Sequence, residues 1–333
     1  MDLGNYSLVR ADETADWQTT WDAFVAASPE GTVFSETPFL SSLNAKAGLW
    51  YCLRGEEKAA AVCVMESNDG REAVSYPNVI YNGIMFAPPP AKQNHAQVIS
   101  EQFRILAFLS GELTEIYDSI SMTFHPSITD MRPFQWHNYH NEGPRYVIDI
   151  RYTNVLLLAK YRSETGMEDA PGYMEANKSR RQELRYAIKK DYRTEETFDP
   201  QMFIDMYRST FARQNLSMDG TGIEELPAML DAMHAAGQTR MFVTRTSDGT
   251  PASIGIFARD AKRWYYQFGA GNPDLRDGHA GSLMLWDAMA ALAEDGDMEI
   301  DLEGVNSPQR GYFKLSFGGT LTPYYRVRYS AAG

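Results

Sequence analysis

Residues 303–319, EGVNSPQRGYFKLSFGG, bring together an acidic side chain, a polar loop, a Phe313-Lys314 pair and two glycines. Acyl transfer to an amine passes through a tetrahedral oxyanion, and a fixed ammonium beside that oxygen lowers the barrier by several kcal/mol. Flanked by Phe313 and Leu315 on an expected strand, Lys314 would be partly desolvated and its field strengthened. The plainer alternative is a lysine snorkelling at a strand end. Just upstream, DMEIDLEGV reads as a strand with Glu299, Asp301 and Glu303 on one face and Ile300 and Leu302 on the other. Asp301 or, better placed at the strand end, Glu303 could take the proton of an attacking amine if burial raised its pKa toward neutrality. A solvated acidic face, or transfer with no protein base, would account for the same residues.

Two further stretches suit anions. In LRDGHAGS, ahead of the helix LMLWDAMAALA, Gly278 and Gly281 would let a phosphate approach the free N–H groups of a helix start. Arg276 could add a charge-assisted contact; an ordinary capping loop is the other reading. Between Lys178 and Arg193 seven basic residues face two acidic ones, a local net of +5 that leaves −18 for the rest of a chain whose total is −13. At 100° per residue Lys178, Arg181, Arg185 and Lys189 form a stripe. It suits a phosphate-rich ligand such as a tRNA acceptor stem or a nucleotide-linked sugar, or pairs with acids elsewhere. In the first half, HPSITDMRPFQWHNY gathers Arg132, Trp136, His137 and Tyr139; with Tyr81 they are candidates for an acceptor cleft between the halves. His137 and His140 lie three apart in a stretch that reads as loop, and no His-Glu-x-x-His or cysteine cluster is present, so no metal is expected. Hydrolase elbows and Walker loops are absent too.

These residues need elements to hold them. The chain of 333 residues, 44% hydrophobic and 23% charged, is long for one core and fits two domains. One order occurs twice: helix, hairpin, loop, helix, strand, loop, strand. In the first half it runs from DWQTTWDAFVAAS through WYCLRGEEKAAAVCVMESNDGREAVSYP and QVISEQFRILAFLSGEL to RYVIDI. In the second it runs from EANKSRRQELRYAIKKDY through a hairpin turning at Asp248-Gly249 to YYRVRYS. The expectation is α/β (α+β): tandem domains over 1–155 and 156–333, each a mixed, mainly antiparallel sheet flanked by helices, the second holding the donor site. Two cysteines, Cys52 and Cys63, read as free buried thiols. Neither a signal peptide nor a membrane-spanning run is readable, so the cytoplasm is the expected location.

This order resembles the GNAT acyltransferase fold and, doubled, the Fem-type aminoacyltransferases. The residues that carry the resemblance are SRRQELRYAIKKDYRTEE…FARQN, GSLMLWDAMAALAEDGDMEIDLEGV and, most specifically, YFKLSFGGTLTPYYRV. It implies a Phe-Lys pair at Phe313 and Lys314, the lysine associated with the aminoacyl donor or the developing charge, followed by Gly318 and Gly319. It also implies amide formation, with aminoacyl-tRNA as donor and an amine such as a cell-wall precursor as acceptor. The alternatives are an acyl-CoA-dependent N-acyltransferase of polysaccharide, lipid or small-molecule synthesis, and a non-catalytic binding protein. RDGHAG departs from the single-domain GNAT pyrophosphate loop by placing His279 at its first glycine position. Aminoacyl-tRNA or acyl-CoA would come as co-substrate, with no tightly bound cofactor.

Overall fold

A computed structural model describes residues 5–213, 222–296 and 298–332. The chain divides into two compact units: residues 1–151 with 323–333, and residues 152–322.

The first unit runs β1 (Tyr6–Arg10), α1 (Trp17–Ala27), α2 (Thr37–Ser42), β2 (Lys46–Arg54), β3 (Glu57–Glu66), β4 (Glu72–Val74), β5 (Gly83–Phe86), α3 (His95–Ile116), β6 (Ser119–Thr123) and α4 (Arg132–Trp136). β1, β2 and β3 form an antiparallel meander, and β3 continues onto both β4 and β5. β4 runs parallel to β6. α3 starts where the sequence lets it start: Asn94 accepts from the Gln97 N–H, and the Gln97 side chain accepts from the Asn94 N–H. This reciprocal box satisfies two donors that a helix start leaves open. Its buried leucines pack on Val62, Val64, Ile84 and Ile120, and both cysteines are free and buried.

β7 (Val147–Leu157) carries the chain into the second unit, which contains α5 (Pro171–Glu175), α6 (Lys178–Lys189), β8 (Arg193–Glu196), α7 (Pro200–Arg213), α8 (Leu226–Ala235), β9 (Thr239–Arg245), β10 (Pro251–Arg259), β11 (Arg263–Gly271), α9 (Ala280–Leu292), β12 (Glu299–Asp301) and α10 (Pro308–Leu315). β13 (Thr320–Ser330) ends the chain. β8 through β11 are antiparallel, the β9–β10 hairpin turning at Gly249 with φ 87°. That left-handed turn is the one Asp248-Gly249 announced. α9 is apolar nearly all round because it is covered on several sides, with Leu285, Trp286 and Met289 packed on Phe257, Tyr161 and Leu184.

Three elements depart from the sequence reading. Lys314 sits on a helix, not a strand. SETGMEDAPGY (163–173), whose composition reads as a connecting loop, instead leads into α5, whose Tyr173 packs edge-on against Trp286. Finally, the last strands are exchanged. RYVIDI extends to Leu157, and its later residues pair with β12 in the second unit, Glu299 opposite Leu157 and Asp301 opposite Val155. β13, expected to finish the domain 156–333, pairs with β6 from Arg326↔Thr123 to Ser330↔Ser119 and buries Val327 in the first core. Arg326 and Arg328 both reach Asp149 there, at 2.9 and 3.1 Å.

Candidate active site

β11 and β12 run parallel for only three pairs, Arg263↔Glu299 to Tyr265↔Asp301. β12 then stops while β11 continues to Gly271, so Tyr266 onward has one open edge. Past β12 the chain turns at Glu303, whose φ of 57° is left-handed. A non-glycine residue adopts that conformation at a cost of about 1 kcal/mol or more. Its N–H donates to Asp301 Oδ1 at 2.7 Å, and that oxygen also accepts from the Thr153 hydroxyl. The expected acidic strand face is therefore wrong: Glu299 is exposed, whereas Asp301 and Glu303 are buried beside Ile300 and Leu302.

α10 follows. Its carbonyl at Lys314, with that of Gly318, accepts from Asn154 Nδ2 at 3.1 and 2.8 Å, which ties the helix end to β7. Gly318 and Gly319 both have left-handed φ, and a Cβ on Gly319 would lie 2.7 Å from Leu156 and 2.8 Å from Asn154. These glycines serve the turn and the close packing. The other anchor is Arg180, which the stripe did not include. Its guanidinium is buried between the rings of Phe313 and Phe317, at 4.5 and 4.7 Å, and donates to Ser316 Oγ at 2.9 Å, to Glu183 and to Ser282.

Two clefts adjoin in this unit. The first, about 460 Å³, is walled by Arg180 and Glu183 of α6, by residues 269–272 of β11 and the following loop, by Arg276 and His279, and by the start of α9 with Gly281. Ser282 and Leu283 both donate to the His279 carbonyl, while the N–H groups of Ala280 and Gly281 have no acceptor among the described residues. Such a helix start attracts anions. The second cleft, about 340 Å³, is walled by Tyr207 and Thr210 of α7, residues 266–269, and Gln309, Arg310, Phe313 and Lys314 of α10. Tyr266, Gly269, Thr210 and Phe313 line both.

Of the expected donor residues, Arg276 and Gly281 line the first cleft. Gly278 does not: it is buried where a Cβ would fall 2.2 Å from the Tyr192 hydroxyl, so it answers to packing. His279 takes φ 59° where glycine would be unstrained, stacks on Tyr186, and holds Nδ1 3.9 Å from Glu183. Lys178, Arg185 and Lys189 are exposed and Arg181 half-buried along the outer face of α6, none in an ion pair among the described residues. Arg181 lies over the Tyr173 ring and Arg185 donates to the Tyr173 hydroxyl at 3.2 Å. Lys190 Nζ reaches the Asp277 carbonyl at 3.0 Å, fastening α6 along the loop that precedes α9.

Lys314 lines the second cleft half-buried, its Nζ 5.4 Å from the Tyr266 ring centroid. Burial pulls its pKa down, against the pull of Glu303 and Asp301. Burial pushes Glu303 well above the ordinary carboxylate range, with Lys314 opposing and Asp301 adding to the rise. The two form no direct ion pair, Glu303 Oε1 has no hydrogen-bond partner among the described residues, and Glu303 and Asp301 line neither cleft. The Tyr266 hydroxyl is held protonated, first by burial and then by Glu303.

The first-half candidates do not converge. Tyr81 is a core ring packed edge-on against Phe34 and Tyr324. His137 packs on Tyr146 and Tyr329, while Tyr139 is exposed against His140. Only Arg132 and Trp136 share a surface pocket, with Phe103 of α3, and Arg132 is paired to Asp130 at 2.6 Å. An acceptor cleft built from all five is corrected by these positions: side chains at successive places on a five-residue helix and its flanks point different ways.

Residues 177–314 match the acetyltransferase (GNAT) domain. No curated protein matches the chain in sequence. Among solved structures, FemX is similar with a TM-score of 0.65 and 14% identity, over 92% of this chain and 95% of that one. A tandem GNAT protein from the clavulanic acid biosynthesis pathway is similar at TM-score 0.54 and 10% identity, over 99% and 98%. The C-terminal domain of a putative lysylphosphatidylglycerol synthetase from Agrobacterium fabrum reaches 0.55 at 11% identity, over 93% and 91%. At these identities the likeness is one of fold, mixed α/β with helices flanking the sheet. The matched segment contains every residue that lines the two adjoining clefts, so the candidate site lies within the part of the chain that is similar to acetyltransferases of the GNAT type.

Proposed function

We propose that the chain makes an amide by passing an aminoacyl group from aminoacyl-tRNA to an amine, a small molecule or a cell-wall precursor, with the donor site in the second unit. One observation carries this reading. The helix whose inner residues Arg180 and Glu183 wall the first cleft bears four cations, Lys178, Arg181, Arg185 and Lys189, on its outer side, none of them in an ion pair among the described residues. Coenzyme A needs only the helix start, whereas an acceptor stem brings a phosphate backbone that would follow such a row.

In this reading the acyl carbonyl sits where the clefts meet, beside Tyr266 and Phe313. The amine nitrogen attacks the carbonyl carbon, and the oxyanion takes hydrogen bonds from the Lys314 ammonium and the Tyr266 hydroxyl. The ester C–O bond then breaks, and the departing oxygen takes the proton that the attacking nitrogen gives up. Glu303 lines neither cleft, so its role is to set the charge on Lys314, as a positioning residue rather than the base.

Acyl-CoA is the second reading, favoured by the open N–H groups of Ala280 and Gly281 at a site suited to a pyrophosphate. Thermal shift with charged tRNA, acetyl-CoA and coenzyme A separates the readings, because a ligand stabilises the state it binds. Stabilisation by charged tRNA that is lost in Lys178→Glu/Arg185→Glu is the expected result. Stabilisation by acetyl-CoA alone transfers the assignment to the second reading, and no response to any donor leaves a non-catalytic protein.

A further inference from the structure

The second cleft has a charge that the donor does not explain. Its walls are aromatic, with Tyr207, Tyr266, Phe268 and Phe313, and α10 contributes Arg310 and Lys314. These two are four residues apart and so share a helix face. Lys314 has buried carboxylates nearby, Glu303 and Asp301, whose charge favours its ammonium. Arg310 has no such partner: among the described residues no carboxylate lies within ion-pair distance of its guanidinium. Its charge falls instead on the cleft. The Tyr207 hydroxyl is pushed up by burial and pulled back by Arg310, and Lys314, lowered first by burial, is lowered further by Arg310.

An exposed planar guanidinium that no described carboxylate engages, at the wall of a cleft large enough for a small metabolite, is a socket for a carboxylate. We propose that the second cleft selects amine acceptors that carry a carboxylate, which Arg310 grips while the amine is turned toward Lys314 and Tyr266. This rests on the acyl-transfer reading above. It also gives the acceptor a second effect, since an anion on Arg310 cancels the charge that disfavours the Lys314 ammonium. The acceptor would thus help to charge the group that serves its own reaction.

The test uses the full chain and matched pairs of amines, each as free carboxylate and as carboxamide: glycine, β-alanine, γ-aminobutyrate, lysine and triglycine. Phosphoethanolamine and ethanolamine form a sixth pair. Affinities come from titration calorimetry, and initial rates from whichever donor the thermal shift selects. At least one carboxylate should bind about tenfold or more tightly than its amide, the range expected of one charge-assisted bond. Arg310→Gln should abolish that preference, and Arg71→Gln, on the surface of the first unit, should keep it. No carboxylate preference in the wild type, a preference confined to the phosphate pair, or a preference that survives Arg310→Gln overturns the inference. Donor stabilisation is read separately: if it persists while the carboxylate preference fails, only this inference falls, and if it is missing the acyl-transfer reading falls.

Discussion

The guanidinium carbon of Arg180 lies 4.5 Å from the centroid of the Phe313 ring. One buried cation on α6 thereby fixes the residue that precedes Lys314 on α10. Arg180→Leu would leave Glu183 and Ser282 facing each other without their common donor. A loss of roughly 1–3 kcal/mol is expected, because a buried charge-assisted donor is removed while Glu183, only partly buried, keeps the Ser282 hydroxyl as a donor at 2.6 Å. Chemical denaturation of the second unit measures it. Arg180→Lys should recover little, since a compact ammonium lacks the planar fork that stacks between two rings while donating at its edge.

Lys314→Ala should lower turnover by about a hundredfold or more while changing stability far less, the usual cost of losing one oxyanion donor. Equal activity would remove Lys314 from the reaction. Its neighbour predicts a pH effect. Glu303's raised pKa means that its contribution to stability is fully present below its ordinary 4.5 and is lost as pH rises through the raised value. Glu303→Gln carries no such loss, so it should gain on the wild type as pH climbs from about 4.5 toward neutrality. A gap that closes with rising pH would refute the burial argument. Lys314 contributes the opposite way, its share present above 10.5 and lost as pH falls through its lowered value.

Asp287 on α9 gives a narrower window. Burial pushes its carboxyl up to about 6 from 3.8. Its contribution is therefore complete below 3.8 and gone above about 6, and Asp287→Asn should become relatively more stable across that interval. The difference should be on the order of 1 kcal/mol, reduced because the side chain is not fully buried. Denaturant midpoints at several pH values provide the measurement.

The cation stripe was legible because helix period is a property of spacing alone, and Lys178, Arg181, Arg185 and Lys189 do share an outer face. Arg180 was not. The same projection turns it inward, and nothing local says that Phe313, Phe317 and Ser282 will be there to receive it. The helix under Lys314 was hidden by its own glycine: a Cβ at Gly311 would lie 2.7 Å from the Val305 carbonyl, so close packing overrides helix preference there. Glu303 broke the alternation for a comparable reason, a left-handed turn held by Asp301 that no glycine announced. The order of hairpin, helix and strand came through in both units, yet the exchange of final strands did not. RYVIDI and YYRVRYS have the same alternating pattern, and pattern does not name a partner.

That exchange has a consequence for how the chain comes into being. Residues 152–322 are contiguous and can condense as soon as they are made, while the first unit waits for its last strand. The earlier-synthesised unit is thus the later one to close, and until it does β6 presents a bare ladder of donors and acceptors to any passing strand. A nonsense codon just past residue 322 would spare the segment that holds both clefts and expose the opposite unit to aggregation.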